Sequence, residues 1–360
     1  MYKRRTGKTS ATLTRRTTRS RKAQEEQRVK VLFTGIQPTG DIHLGNYFGA
    51  IANWVRLQHE YTSYICVVDL HAVTIPYEPS EMPGRVIDLA TTLYACGIDM
   101  EKTNLFVQSE VPGHADLTWM FNAITPLGEL ERMTQFKDKR DQFRASVNVG
   151  LLDYPVLQAA DILIYKGEVV PVGEDQVQHV EFTREVARHF NSRFGSTFPE
   201  CQALLTRTPR VLGLDGDSKM SKSKGNTIGI LEKPEEIWAK VAPAKTDPAR
   251  VRRTDPGTPE KCTIWSYHLL VTREPELTEI HNGCTTAGIG CIDCKKRFQA
   301  NLMKVLDPIR ERYGELAGTG KKKVEERLEA NAVKCRAVAG ETIREAKGKM
   351  GLKKAWKIES

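Results

Sequence analysis

Two stretches of this sequence concentrate side chains able to handle phosphate. The first, PTGDIHLGNYFG at Pro38–Gly49, sets His43 and Asn46 among Gly40, Gly45 and Gly49. Glycines let a backbone approach a ligand closely, and a helix that starts here aims N–H groups at an anion. His43 and Asn46 would add neutral donors, although the same segment reads equally well as an ordinary glycine turn with an exposed histidine. The second, KMSKSKGN at Lys219–Asn226, gathers three lysines and two serines behind the turn-rich LGLDGDS. A lysine run is commonly a solvated surface. This one is short, broken by Met220 and hydroxyls and bounded by glycines, as a mobile clamp for a polyphosphate would be.

Two further groupings carry chemistry. Tyr154, Gln158 and Asp161 are spaced i, i+4, i+7 and so share one face of a helix. Asp161 stands between Ala-Ala and Ile-Leu-Ile, a context that favours a buried carboxylate over a surface one. Cys262, Cys284, Cys291 and Cys294 fall within 33 residues as C-x21-C-x6-C-x2-C. One CxxC is weak evidence, and the spacing is not the paired CxxC of a zinc ribbon. Cysteine's softness leaves an iron–sulfur cluster, zinc or unligated thiols open. Cys66, Cys96, Cys201 and Cys335 are scattered and read as core or incidental.

The elements that must position these groups begin at Val31. Strands are expected at Val31–Ile36, Tyr64–Asp69 and Asn104–Gln108, with a long amphipathic helix over about 44–60 and another near 85–95. That alternation implies an α/β, doubly wound parallel sheet of Rossmann-like type. Helical patterns follow at about 113–124, 128–145, 155–166 and 174–193. After about 235 strand signals fade, so a catalytic nucleotide-binding domain with a helical insertion at 30–234 and an all-helical C-terminal domain at 235–360 is the expected organisation. A turn at the carboxyl end of the first strand lies where open parallel sheets bind ligands.

Charge is unevenly placed. The net charge of +9 is carried entirely by residues 1–30, and the remaining chain is neutral by count. Residues 1–29, rich in Arg, Thr and Ser, cannot bury enough surface to offset ordering and read as a disordered basic arm. A solvated tail, a phosphate-seeking arm for RNA and an Arg-rich transit peptide all fit that composition. No run is long and apolar enough to span a bilayer. No apolar stretch follows the basic start, and eight cysteines without an export signal argue for a reducing, cytoplasmic setting.

HLGN and KMSKS, about 175 residues apart, together resemble the two signatures of class I aminoacyl-tRNA synthetases. Between them GIQPTGDIHLGNYFGAI, VVDLHAVT, FVQSEVPGHADL, GELERMTQFKDK, DYPVLQAADIL and VPVGEDQVQHVEFTREVARHFN are similar, in order and spacing, to segments of bacterial tryptophanyl-tRNA synthetases. The resemblance runs from Val31 to the C-terminus. It implies activation of L-tryptophan with Mg-ATP to tryptophanyl-adenylate and pyrophosphate, then transfer to tRNA(Trp). It also implies a homodimer, and C-terminal helices that meet the anticodon, where Lys347, Lys349, Lys353, Lys354 and Lys357 form a basic end.

By the same resemblance His43, Asn46, Lys219 and Lys222 act on the reacting phosphates. ATP contacts fall on Gln37, Pro38, Thr39, Gly45, Gly173, Glu174, Asp175, Val211, Met220, Ser221 and Ser223. Asp161 would accept the indole N–H, Tyr154 and Gln176 would lie near the ammonium and carboxylate, and Phe33, His71, Val170 and Val172 would wall the pocket. The physics agrees, because the indole N–H only donates. A buried acceptor among apolar walls penalises an amino acid that leaves it unpaired. Gln158 departs from the methionine common in the family and keeps tyrosine in play as an alternative substrate. The cysteines resemble a motif in a subset of the family that holds a [4Fe–4S] cluster, with Zn2+ as the alternative. A non-catalytic RNA- or protein-binding paralogue is the competing reading from outside enzymology. It would explain the arm and cysteines, but gives no reason to keep both signatures.

Overall fold

The computed structural model describes residues 28–134, 147–205, 211–221 and 224–352. Most of the basic arm, the QFKDK segment, Lys222, Ser223, Lys353, Lys354 and Lys357 lie outside the described residues.

The chain opens with β1 (Val31–Ile36), then α1 (Leu44–Asn46), a wider π turn at Tyr47–Ile51, and α2 (Ala52–Leu57). There follow β2 (Thr62–Val67), α3 (Asp69–Ala72), α4 (Met82–Ala95), β3 (Asn104–Val107), α5 (Gly113–Asn122) and α6 (Leu127–Glu131). Next come α7 (Val149–Leu163), β4 (Val169–Val172), α8 (Val177–Phe194) and β5 (Gln202–Leu205). The remainder is helical: α9 (Pro234–Val241), α10 (Thr263–Val271), α11 (Glu276–Thr285), α12 (Cys291–Ala317) and α13 (Lys321–Lys349). Among the described residues no helix is long and apolar enough to cross a membrane.

All five strands pair in parallel, in the order β3-β2-β1-β4-β5. The sheet is therefore the expected doubly wound one, with two more strands than the three read from sequence. β4 and β5 are four residues each and Pro171 interrupts the first, so their apolar runs give little strand signal. Residue alternation splits the sheet between two cores. Phe33, Tyr64, Cys66 and Phe106 face a cluster with α5, α7 and α8. Ile65, Val67 and Leu105 face a second cluster with α4, Met220, Ile228, Ile230 and α12.

Helix α7 begins six residues before the expected start. Pro155 resembles a first-turn signal, but the Asn148 side chain accepts from Leu151 N and caps the helix upstream, which leaves Pro155 inside it. Likewise residues 174–176 form a tight 3-10 turn rather than the start of α8.

The C-terminal helices share the sheet's cores. Leu302 and Leu306 of α12 and Val324 of α13 join one cluster, while Cys335, Ala339, Ile343 and Ala346 of α13 join the other. Helix α13 also covers the edge of β3, where Asn331 Nδ2 donates to Leu105 O at 3.0 Å and Thr103 O at 3.4 Å.

Candidate active site

Strand order reverses between β1 and β4, and in an open parallel sheet the crevice at that reversal receives ligands. Gln37–Thr39 leaves the end of β1 and Gly173–Gln176 leaves the end of β4, so both expected ATP-contacting turns flank one crevice. Glu174 and Asp175 are exposed at its mouth. A Cβ on Gly173 would stand 2.7 Å from Asp175 Oδ1, so only glycine leaves that carboxylate its place.

The HLGN segment is bound through the backbone to the residues that directly follow the lysine loop. Leu44 N donates to Ile228 O at 2.9 Å, and Ile230 N donates to Ile42 O at 2.9 Å. His43 and Asn46 close a capping box: Asn46 N donates to His43 Nδ1, and His43 N donates to Asn46 Oδ1, both at 3.3 Å. A ring that accepts at Nδ1 carries its proton on Nε2. The backbone donors of His43 and Asn46 are thus engaged by the segment's own cap. Gly45 has a different use. A Cβ there would come within 3.0 Å of the His43 ring, so its bareness leaves that ring its place in the cap, with Met220 in ordinary contact beside it. Gly40, at φ 83°, meets the left-handed turn that precedes HLGN.

The lysine loop is anchored more than its composition suggests. Met220 is buried in the core beside Ile42, Leu44 and Val211, and Met220 N donates to Val211 O at 3.1 Å. Asn226, also buried, ties the two ends of the loop together. Its Oδ1 accepts from Ser221 N at 2.8 Å, and its Nδ2 donates to Asp215 Oδ2 at 2.8 Å and Ser218 Oγ at 3.1 Å. Hydrogen bonds from Asn226 and Ser218 hold the Asp215 carboxyl down at about 2. Lys219 stays exposed between these anchors.

The expected amino-acid pocket lies on the other face of the sheet. Phe33, Val170 and Tyr154 are buried, while Gln158, Val172 and Gln176 are half-buried. Asp161 is 1% exposed. Its Oδ1 accepts from Gln108 Nε2 at 2.7 Å and His114 Nδ1 at 2.6 Å, and its Oδ2 accepts from His71 Nε2 at 2.8 Å. Burial pushes this carboxyl up, but the hydrogen bonds from His114 and His71 outweigh it and bring it to about 2. Tyr154 meets His179 Nε2 through its hydroxyl at 2.9 Å and stands edge-on to His71 at 6.2 Å. Gln108, His114, Tyr165 and His179 received no role from sequence. Their only signal was membership of polar segments, since the partners lie 25 to 53 residues apart along the chain.

A cavity of about 390 Å³ lies beside these motifs, lined by Leu70, Val73, Ala115, Trp119, Tyr154 and Leu157 among others. None of residues 37–46 or 211–226 lines it, so it is no part of the nucleotide crevice.

The four cysteines occupy the α10–α12 region. Cys262 precedes α10, Cys284 ends α11, and Cys291 and Cys294 open α12. All four are free thiols, and burial with the neighbouring sulfurs raises the proton affinity of Cys284 and Cys294. Burial first, then the neighbouring sulfurs, pushes Cys294 up to about 12. The Arg250 guanidinium stands 3.7 Å from Cys284 Sγ, and a Cβ on Gly257 would fall 2.6 Å from the same sulfur. Among the described residues no three His, Cys, Asp or Glu side chains converge closely enough to hold a single metal ion.

A crevice at the switch point of a parallel sheet, with HLGN paired to the strand-like segment just after KMSKSKGN, matches the class I synthetase catalytic fold. The model of tRNA synthetases class I (W and Y) matches residues 24–307, and the chain belongs to that family. It is 52% identical over 328 residues to the tryptophan–tRNA ligase of Deinococcus radiodurans, covering 90% of this chain and 99% of that protein. The tryptophan–tRNA ligase of Thermotoga maritima is 43% identical over 326 residues, at 89% and 99% coverage. Among solved structures, tryptophanyl-tRNA synthetase from Campylobacter jejuni, complexed with ADP and tryptophan, superposes with a TM-score of 0.81 at 32% identity, covering 89% of this chain and 99% of that one.

Proposed function

We propose that this chain is a tryptophan–tRNA ligase, activating L-tryptophan with Mg-ATP and transferring it to tRNA(Trp). The observation that carries the reading is the direct pairing of HLGN with the segment that follows KMSKSKGN, beside the sheet's switch point. In the first step the tryptophan carboxylate attacks the α-phosphorus, the bond to the bridging oxygen breaks, and pyrophosphate leaves. Such a reaction needs alignment and charge stabilisation more than covalent help. His43 offers its Nε2 proton to a phosphate oxygen, with the tautomer fixed by its cap. Lys219 and Lys222 neutralise the departing pyrophosphate from a loop whose ends Met220 and Asn226 hold. Gln37–Thr39 and Gly173–Asp175 take the ribose and adenine side. Asp161 takes the indole N–H among Phe33, His71, Gln158, Val170 and Val172, and Tyr154 and Gln176 stand at the amino-acid head.

ATP–pyrophosphate exchange with tryptophan and tyrosine in parallel tests this reading. Exchange with tryptophan alone supports it. Exchange with tyrosine would make Gln158 the better guide, and silence with both, with tRNA still bound, would favour the RNA-binding paralogue.

Three finer features belong to the same proposal. The functional unit is a homodimer in the cytoplasm: Trp119 and Val149 are each 77% exposed beside Val73 and the cavity, an apolar face suited to a second copy. The basic end of α13 and the N-terminal arm contact tRNA phosphates. Cys262, Cys284, Cys291 and Cys294 hold a [4Fe–4S] cluster, a reading that rests on the likeness of their spacing to the family motif, with zinc as the alternative; among the described residues no three of them converge on a single ion. Bound there, the cluster would staple α10, α11 and α12 together. Iron, zinc and sulfide analysis with absorbance on anaerobically purified protein distinguishes cluster, zinc and bare thiols.

A further inference from the structure

We infer that His114, held by Tyr165, is the positioning residue that leaves Asp161 one acceptor direction, on Oδ2, and thereby selects a ligand with an indole N–H. The inference rests on the reading that Asp161 faces the amino-acid side chain.

A carboxylate offers about four lone-pair directions. Gln108 and His114 take two on Oδ1, and His71 takes one on Oδ2. Each donor on Oδ1 is oriented by a contact further out. Gln108 Oε1 accepts from Leu70 N at 3.1 Å, which turns its amide nitrogen toward Asp161. His114 Nε2 lies 2.8 Å from the Tyr165 hydroxyl. The ionised Asp161 oxygen facing Nδ1 can only accept, so in the neutral ring Nε2 is the acceptor and the Tyr165 hydroxyl donates to it. The ring's own N–H is therefore on Nδ1, aimed at Asp161. Tyr165 cannot turn away, being stacked on Tyr64 at 4.4 Å and on Phe33 at 5.9 Å. His114 is fully buried, so no water substitutes for the ring.

The outcome is an ionised acceptor with one direction left on Oδ2 for the ligand's donor. A neutral indole N–H completes the set, whereas a ring without a donor leaves a buried charge short of one bond.

The test compares pyrophosphate exchange for tryptophan and for its benzothienyl isostere, in which sulfur replaces the N–H. Wild type, Asp161→Asn, Tyr165→Phe, His114→Ala and His114→Gln are measured. Tyr165→Phe and His114→Ala are expected to raise the tryptophan KM about ten- to a hundredfold, the effect of one charge-assisted hydrogen bond. kcat should change much less, and the preference for tryptophan over the isostere should fall in parallel. His114→Gln, which can still donate to Oδ1, should recover most of that preference. If the preference survives Tyr165→Phe and His114→Ala but collapses in Asp161→Asn, the positioning role is wrong and the pocket reading stands. A preference intact in Asp161→Asn would overturn the pocket reading itself. Should His114→Ala fail to fold, Tyr165→Phe, which removes a single oxygen, decides the matter.

Discussion

Replacing Asn226 with alanine should disable the lysine loop without disturbing the amino-acid pocket. Asn226 is 5% exposed and its amide holds Ser221 N at 2.8 Å and Ser218 Oγ at 3.1 Å. Its bond to Asp215 joins an exposed carboxylate that water can satisfy, so it is left out of the reckoning. Two neutral hydrogen bonds at about 1 kcal/mol each give about 2 kcal/mol of lost loop order. Spent on placing Lys219 and Lys222 at the departing pyrophosphate, that is about a thirtyfold loss in kcat. Met220 keeps its place in the core, so the melting temperature should scarcely move. Exchange kinetics with ATP and tryptophan varied independently are the assay. Gly213→Ala supplies an internal check: its Cβ would fall 2.0 Å from Asn226 Nδ2, displacing the same amide from the opposite side. The two changes should therefore be alike singly and far from additive together. A kcat within about twofold of wild type, or a shift confined to the tryptophan KM, would refute the anchoring argument.

Lys222→Ala should slow adenylate formation at least tenfold in single-turnover experiments while equilibrium tryptophan binding stays close to wild type. Trp119→Glu should shift sedimentation toward the monomer, because it buries a charge in the apolar face assigned to the second copy; an unchanged profile would place the dimer contact elsewhere. Asp161 gives a pH signature. Its carboxyl is held at about 2, below the ordinary 3.8, so its stabilisation is complete above about pH 4 and is lost as pH falls through the folded value. The difference in unfolding free energy between wild type and Asp161→Asn, followed by urea titration, should be flat above pH 5 and narrow below 4. Gln158→Met should leave the tryptophan KM within about threefold and lower any exchange with tyrosine.

The signature residues could be read from sequence because phosphate chemistry draws on a narrow set of side chains, and glycines and lysines at tight spacing are conspicuous. Their uses were harder to read. Gly45 reads as a residue that admits a ligand, yet the closest claim on its bare side is the His43 ring, turned back by the cap it forms with Asn46. Asp161 is recognisable as buried from its apolar neighbours, but nothing local says that residues 71, 108 and 114 will converge on it. The first three strands follow from β-branched and aromatic runs bounded by turns. β4 and β5 are too short and too mixed for that signal, and they are fixed by pairing with β1 and with each other. Pro155 misplaced the start of α7 because an upstream cap outweighed a familiar boundary residue.

The last helix bears on how the molecule is made. Helix α13 lies more than 200 residues beyond β3, yet Asn331 occupies that strand's open edge and Cys335, Ala339 and Ile343 complete the core beneath the sheet. During synthesis the nucleotide-binding half emerges first, with an edge and an apolar surface still uncovered. It can finish folding only when α13 has left the ribosome. Such long-range closure slows folding and prolongs the interval in which an open strand can pair with another chain. A message truncated before residue 330 would therefore yield an aggregation-prone fragment despite encoding every signature motif.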